Sequence, residues 1–218
     1  MSSIATVFFL ERPVDNLDWV IYILVSTLLL VVVGRLLFSN NYEALINIER
    51  FQEINDNQAL FGLIFQLSFA VLTGTILMDY LVSDYDYIFH TPALKVLAAA
   101  VLILIFFGIR SVLGTVAAYA FGISHDRNLN LKTTNYFRVY SVAILWIAVL
   151  LFYFTGITKP AILVVLTIFL ILIRVFTYHY LFKNQPEKQS KIWYYNILYL
   201  CALEILPLLV LFKFLNLW

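Results

Sequence analysis

Three ionisable side chains stand inside long apolar stretches of this sequence, where charge is costly. Glu204 lies within the run 192–214, and Arg110 and Arg174 lie within two earlier runs. An ionised group near the centre of a bilayer costs roughly 2.5 to 3.5 kcal/mol on insertion scales, so each should face a partner, a cavity or a ligand. A guanidinium fork can hold a carboxylate through two hydrogen bonds. The sequence therefore predicts an intramembrane ion-pair or ligand site formed by Arg110, Arg174 and Glu204.

Four further residues are candidates for bending or packing the helices that carry these charges. Cys201 lies one helical turn before the acid, and Pro207, three residues after it, would free a backbone carbonyl beside the carboxylate. We interpret Cys201 as a small apolar filler rather than a reactive thiol. Gly108 and Gly114 lie on either side of Arg110, where a helix break or a close helix crossing would fall.

Two interpretations of the charges follow from their number. In the structural one, one arginine neutralises Glu204 while the other extends toward the lipid headgroups, and the charges only fix helix register. In the functional one, two arginines against one glutamate leave an excess of one positive charge. An anionic head group, a carboxylate substrate or a coupled proton could use that charge.

The elements that hold these residues must be membrane helices. The chain is 63% hydrophobic and only 12% charged, and its mean hydropathy is +0.92, values outside the range of soluble proteins. With about 20 residues a span, 218 residues have room for about six spans and no sizeable soluble domain. We therefore predict an all-α, polytopic transmembrane helical bundle forming one integral membrane domain over residues 1–218. The predicted spans lie at about 17–38, 59–82, 93–115, 138–157, 161–182 and 192–214.

Three connections qualify this outline. Residues 39–58 are polar but carry Leu45, Ile48, Phe51 and Ile54 at every third position, which predicts a short surface helix, either a solvated linker or a binding element for a partner. We interpret 124–138 as a polar connection. The connection at 158–160 is so short that spans four and five should be antiparallel neighbours.

The apolar stretch that contains the third span, residues 93–124, is longer than a bilayer requires. About 30 helical residues from 93 to 124 would extend some 45 Å, whereas the hydrocarbon layer is about 30 Å thick. Either one tilted helix or a broken one would accommodate the excess.

Most catalytic and cofactor signatures are missing from the sequence. His90, His125 and His179 are far apart and lack ligands at helical spacing, so we expect no metal and no other cofactor. No Gly-rich phosphate loop, H-E-x-x-H or G-x-S-x-G motif occurs. The single cysteine excludes an intramolecular disulfide. The net charge of +1, spread along the chain, gives no reason to expect nucleic acid.

The sequence resembles a family of bacterial inner-membrane proteins catalogued as a domain of unknown function, number 4271. The resemblance lies in the run from Tyr199 to Pro207, Tyr-Leu-Cys-Ala-Leu-Glu-Ile-Leu-Pro. The resemblance rests mainly on the Cys-x-x-Glu-x-x-Pro spacing of Cys201, Glu204 and Pro207. It implies a multi-pass protein of a Gram-negative inner membrane. It implies no activity.

Three functional hypotheses are compatible with the sequence. The first is a non-enzymatic scaffold or accessory subunit of an envelope complex, with lipid around it and other membrane proteins or further copies of the chain as partners. The second is a small transporter or a binder of a lipid or anion, using Arg110, Arg174 and Glu204. The third is an enzyme acting on a lipid with Glu204 as general base, but it requires a second catalytic group that the sequence does not show.

The basic residues also predict how the chain is oriented. With Arg110 and Arg174 set aside as intramembrane, one side of the six-span bundle carries four basic residues and the other carries eight. The positive-inside rule places the richer side in the cytoplasm and both termini outside it. The four are Arg12, Lys95, Lys159 and Lys213; the eight are Arg35, Arg50, Arg127, Lys132, Arg138, Lys183, Lys188 and Lys191.

A topology reporter tests this orientation. An enzyme that is active only outside the cytoplasm, fused after Trp218, should be active, because both termini are placed on the non-cytoplasmic side. An inactive fusion, with the reporter held in the cytoplasm, would show that either the number of spans or the orientation is wrong.

Overall fold

Every regular element of the described residues is a helix. The computed structural model describes residues 17–54, 57–78, 91–120 and 124–183. Five helices in these ranges are long and apolar enough to cross a membrane, which confirms the predicted all-α bundle; the predicted span at 192–214 lies outside the described residues. The helices are α1 (Asp18–Leu37), α2 (Ser39–Glu43), α3 (Ile48–Glu53), α4 (Gln58–Leu77), α5 (Pro92–Ala120), α6 (Ser124–Phe154) and α7 (Lys159–Lys183), with one 3₁₀ turn at Ala44–Ile46. The membrane-length ones are α1, α4, α5, α6 and α7.

Helix α4 lies at the centre of the bundle. It packs against α1, α5 and α6, and 50% of its most apolar window is buried, compared with 17% in α5 and in α7. Small side chains allow its neighbours to come close, since helices in a membrane associate through close packing. A Cβ added to Gly74 would lie 3.0 Å from the backbone oxygen of Val96 on α5. The crossing of α4 and α5 is therefore close enough to require glycine.

Helix α5 is one continuous helix as far as Ala120. Gly108 and Gly114 both lie inside this unbroken helix, so neither marks a break. A Cβ on Gly108 would meet nothing within 4 Å, whereas the close helix crossing predicted at Gly114 stays a prediction. A break in the apolar layer would leave backbone groups without hydrogen-bond partners, so glycine alone does not interrupt the helix.

The linker between α1 and α4 is folded onto the bundle. Ala44 in the turn and Phe51 on α3 are both 0% exposed, whereas Ile46 in the turn remains exposed. Phe51 contacts Phe61 on α4 and Tyr136 on α6, with ring centroids 5.7 and 5.6 Å apart. Burial raises the pKa of Tyr42 on α2 to about 12, and its hydroxyl donates to the backbone oxygen of Val31 at 2.9 Å. The predicted surface helix is therefore a packed part of the bundle.

Helix α6 begins at Ser124, well before the span boundary predicted near 138. Two polar residues of this helix, Lys132 and Thr133, find side-chain partners on the linker. Lys132, 7% exposed, donates to the backbone oxygen of Gln52 at 2.7 Å, and the Gln52 amide donates to the hydroxyl of Thr133 at 2.8 Å. Buried polar groups are tolerated when they are hydrogen-bonded. The segment 124–138 is thus part of the bundle and not a loop.

Helices α6 and α7 are packed neighbours, as the short connection predicted. Helix α6 ends at Phe154 and α7 begins at Lys159. The ammonium group of Lys159 lies 5.1 Å from the ring centroid of Phe152 and 5.8 Å from that of Tyr153. This cation–π contact secures the turn.

The packing of α4 against α6 can be tested with a pair of matched glycine substitutions. A Cβ at Gly62 would lie 2.6 Å from both terminal side-chain atoms of Asn135, so Gly62→Ala should lower the free energy of unfolding by about 1 to 3 kcal/mol. The control Gly108→Ala adds its methyl group to open space and should be neutral or stabilising by up to about 1 kcal/mol. Unfolding of the purified protein in detergent measures both, and equal effects would contradict the packing described.

Candidate functional site

Arg138 lies on the inward face of α6, inside the membrane-length part of the helix, Leu129–Phe154. Its neighbours along this face, Asn135, Val142 and Leu145, are all buried. The guanidinium is only partly buried, and its carbon lies 5.6 Å from the ring centroid of Phe107 on α5. The fold therefore holds a third arginine inside the spans, besides the two that the sequence singled out.

Two amide oxygens from different helices hold the guanidinium of Arg138. Its Nη1 donates to Oε1 of Gln66 on α4 at 3.4 Å and to Oδ1 of Asn135 on α6 at 3.3 Å. The Nδ2 of Asn135 in turn donates to the backbone oxygen of Gln58 at 3.0 Å. The absence of a side chain at Gly62 gives Asn135 the room for this geometry. Arg138 is thus positioned by a short chain of hydrogen bonds anchored on α4.

Arg110 and Arg174 lie on the inward faces of their own helices. On α5, Arg110 follows buried Ile103 and the core residue Phe107 at helical spacing. On α7, Arg174 lies between the core residue Leu170 and buried Thr177. Both side chains are partly buried. Residues three and four apart share a helix face, so both arginines are directed toward the interior of the bundle.

Arg174 and Arg110 both lie within electrostatic range of Arg138. Like charges in a layer of low dielectric interact more strongly than in water. We call Arg110, Arg138 and Arg174, together with the amides of Gln66 and Asn135, the arginine layer.

The arginine layer lies at one depth in the bundle. We call the end of the bundle that carries α2 and α3 the linker end. Arg110 precedes the end of its span at Val116, Arg138 follows the start of its span at Leu129, and Arg174 precedes the end of its span at Leu181. At 1.5 Å rise per residue, these positions are about 9 to 14 Å from the linker end. Arginine side chains can span that range of depth and meet.

Arg138 retains hydrogen-bonding capacity. A guanidinium has five N–H groups, and both recorded hydrogen bonds use Nη1. Its Nε and Nη2 donate to no acceptor in the described part of the chain, and neither does the side-chain amide nitrogen of Gln66. These donors point to a site that can accept an anion, because anions bind where several donors converge.

The described spans supply no acid to this layer. Asp18 is the one Asp or Glu within the described spans, and it begins α1 at the end of the bundle opposite the linker. Within the same residues, no three His, Cys, Asp or Glu side chains group together as a metal site would require. The layer is therefore cationic as far as the described residues go.

The structure describes only some of the site residues predicted from the sequence. Arg110 and Arg174 are brought to one layer, whereas Glu204, Cys201 and Pro207 lie outside the described residues. Sequence reasoning counted Arg138 among the cytoplasmic loop residues and so missed it. A signal was present: Lys132, Asn135 and Arg138 recur every third residue, as on one face of a helix. Without Arg138 the basic residues of that side number seven against four, which leaves the predicted orientation unchanged.

Substitutions of Gln66 test whether the layer is cationic. Gln66→Leu removes an acceptor from a buried charged donor and should lower the free energy of unfolding by about 1 to 3 kcal/mol. Gln66→Glu places a carboxylate against the guanidinium of Arg138 and should instead raise the unfolding temperature. Thermal unfolding in detergent at constant ionic strength measures both variants. A destabilising Gln66→Glu would show that the layer already contains enough negative charge.

Comparison with known proteins places this arrangement in a family. Residues 20–215 match a family described as a domain of unknown function (DUF4271). The match runs from α1 to beyond α7 and so includes all three arginines. No curated protein and no solved structure matches the chain. The chain therefore belongs to the DUF4271 family, as its Cys-x-x-Glu-x-x-Pro run had indicated.

Proposed function

We propose that this protein is an integral inner-membrane protein that binds an anion at the arginine layer and catalyses no reaction. The observation that carries the proposal is Arg138, a partly buried guanidinium within a membrane span that is held by two neutral amide oxygens. Both hydrogen bonds of Arg138 go to neutral amide oxygens, and a positive charge held in an apolar layer by neutral partners is unfavourable unless negative charge compensates it. A bound anion supplies that charge.

The remaining donors of Arg138 support the same proposal. Helix α6 presents Nε and Nη2 of Arg138, and α4 presents the amide nitrogen of Gln66 beside it. Arginine forks recognise carboxylates and phosphates through paired hydrogen bonds. An anion in this layer would therefore be held by groups from at least two helices, as expected for a binding site between helices of a bundle.

We also propose Glu204 as an internal counter-charge to the layer. It is the one acidic residue in the run 192–214, and a carboxylate in an apolar segment requires a cationic partner.

A scaffold or accessory subunit is the second candidate function. The observation that favours it is the broad outward apolar surface of α5 and α7, of whose apolar windows only 17% is buried. Lipid or a neighbouring membrane protein would cover such a surface equally well. The arginine layer has no part in this function, so a scaffold would not respond to anions through Arg138.

Anion-dependent stability tests the proposal. The purified protein in detergent is unfolded by heat in increasing phosphate and, separately, in increasing acetate, at constant ionic strength. At least one of the two should raise the unfolding temperature, because a ligand at 100 times its Kd stabilises the folded state by about 2.7 kcal/mol. Arg138→Gln should abolish the increase.

Matched controls separate a site from a general salt effect. Arg50→Gln makes the same change at an exposed position on α3 and should keep the full increase. If Arg138→Gln does not fold, Arg174→Gln replaces it and should weaken the effect. Wild-type protein that responds to neither anion, or an Arg138→Gln variant that responds fully, would overturn the proposal.

A further inference from the structure

The turn Ala44–Ile46 between α2 and α3 presents an isoleucine outward. Ile46 is 92% exposed, more than any other large apolar side chain of the described residues, whereas Ala44 in the same turn is 0% exposed. Leu45 packs against the main apolar core of the bundle. A single apolar side chain exposed to water is ordinary, so the depth of the turn decides what covers Ile46.

Two hydrogen bonds fix that depth, and the first joins α2 to α1. The hydroxyl of Tyr42, two residues before the turn, donates to the backbone oxygen of Val31 at 2.9 Å. Val31 lies six residues, or about 9 Å, before Leu37, the last residue of α1. The ring of Tyr42 also lies 6.0 Å from that of Phe65, which is seven residues, or about 10 Å, after the first residue of α4. A tyrosine side chain is shorter than either distance, so α2 lies alongside the ends of the spans and not beyond them.

The second hydrogen bond joins the turn itself to α6. The hydroxyl of Tyr140 donates to the backbone oxygen of Leu45 at 2.9 Å. Tyr140 lies eleven residues, or about 16 Å, after Leu129, where the membrane-length part of α6 begins. A tyrosine side chain covers less than half of this distance, although it points back toward the start of its helix. The carbonyl of Leu45 therefore lies inside the depth of the spans.

The backbone of the turn has the partners that an apolar environment demands. Non-helical backbone at membrane depth is tolerated where the protein supplies its hydrogen bonds. The carbonyl of Leu45 has Tyr140, and the carbonyl of Ala44 accepts from the backbone N–H of Asn47 at 3.0 Å. Tyr140 is itself 42% exposed, as expected of an aromatic residue at the boundary between headgroups and acyl chains.

From this depth and these partners we infer that the turn Ala44–Ile46 is inserted into the leaflet at the linker end, with Ile46 in contact with lipid acyl chains. The charged residues on either side, Glu43 on α2 and Glu49 on α3, are exposed and extend toward the headgroups, as in an element that lies in the membrane interface. The last two residues of α1 are also 78% and 66% exposed, so the apolar outer surface continues to this end of the bundle. The lipid contact at Ile46 is separate from the arginine layer and does not depend on anion binding.

Spin labels at three positions test this placement. In a background in which Cys201→Ser removes the single native cysteine, the full-length chain receives Ile46→Cys, Leu29→Cys or Glu49→Cys and is placed in nanodiscs of phosphatidylcholine. Collisions of the label with oxygen, which concentrates among acyl chains, are compared with collisions with a water-soluble nickel complex. The label at residue 46 should collide mainly with oxygen, as should the one at Leu29, a 57% exposed residue within α1. The label at Glu49, exposed on α3, should collide mainly with the nickel complex.

Two results would overturn the inference. A label at residue 46 that collides mainly with the nickel complex would place the turn in water. A label shielded from both reagents would place it against another protein or a second copy of the chain.

A stability measurement checks the placement without a label. Ile46→Asn should lower the unfolding temperature of the protein in the same nanodiscs, because an amide side chain among acyl chains lacks hydrogen-bond partners. The control Ile46→Leu keeps the side chain apolar and should unfold at the wild-type temperature. An Ile46→Asn variant that also unfolds at the wild-type temperature would contradict a lipid contact at this position.

Discussion

The structure of this protein depends on holding a guanidinium inside an apolar helical bundle. Arg138 is partly buried on an inward face of its span, and low-dielectric surroundings strengthen the interactions that it makes. Its contacts with Gln66, Asn135 and the ring of Phe107 therefore fix how α4, α5 and α6 are placed around it. The central position of α4 follows from the same constraint, because α4 supplies Gln66 and the carbonyl that anchors Asn135.

Other polar contacts in the bundle follow the same rule. A lipid environment gives little hydrophobic driving force between helices, so close packing and interhelical hydrogen bonds hold them together. Tyr153 on α6 donates to the backbone oxygen of Thr75 on α4 at 2.8 Å. Trp146 donates to the backbone oxygen of Leu24 on α1 at 3.3 Å. These contacts complete the bundle at depths where α6 carries no charge, and they leave Arg138 as the point where its interior is most polar.

The arrangement of the arginines argues for a role beyond register. One arginine paired with one carboxylate would be enough to fix helices relative to each other. Here three helices each carry an arginine on an inward face at similar depth, and the hydrogen-bond partners of Arg138 are neutral amides. The proposed anion site would use these same groups for stability and for specificity.

The sequence by itself determined the class of the protein, the helical character of its spans and the neighbouring positions of α6 and α7, because apolar composition and short connections leave few alternatives. It also identified Arg110 and Arg174, since a charge in an apolar run stands out. Only the tertiary structure decided that Arg138 joins them. The residues at 124–138 are polar along the chain, so the sequence indicates a loop. Part of this segment becomes an interior face because the linker and α4 supply hydrogen-bond partners for Lys132, Thr133 and Asn135. Hydropathy along a chain reports how apolar a segment is on average, whereas the burial of one polar side chain depends on the partner that another helix brings to it.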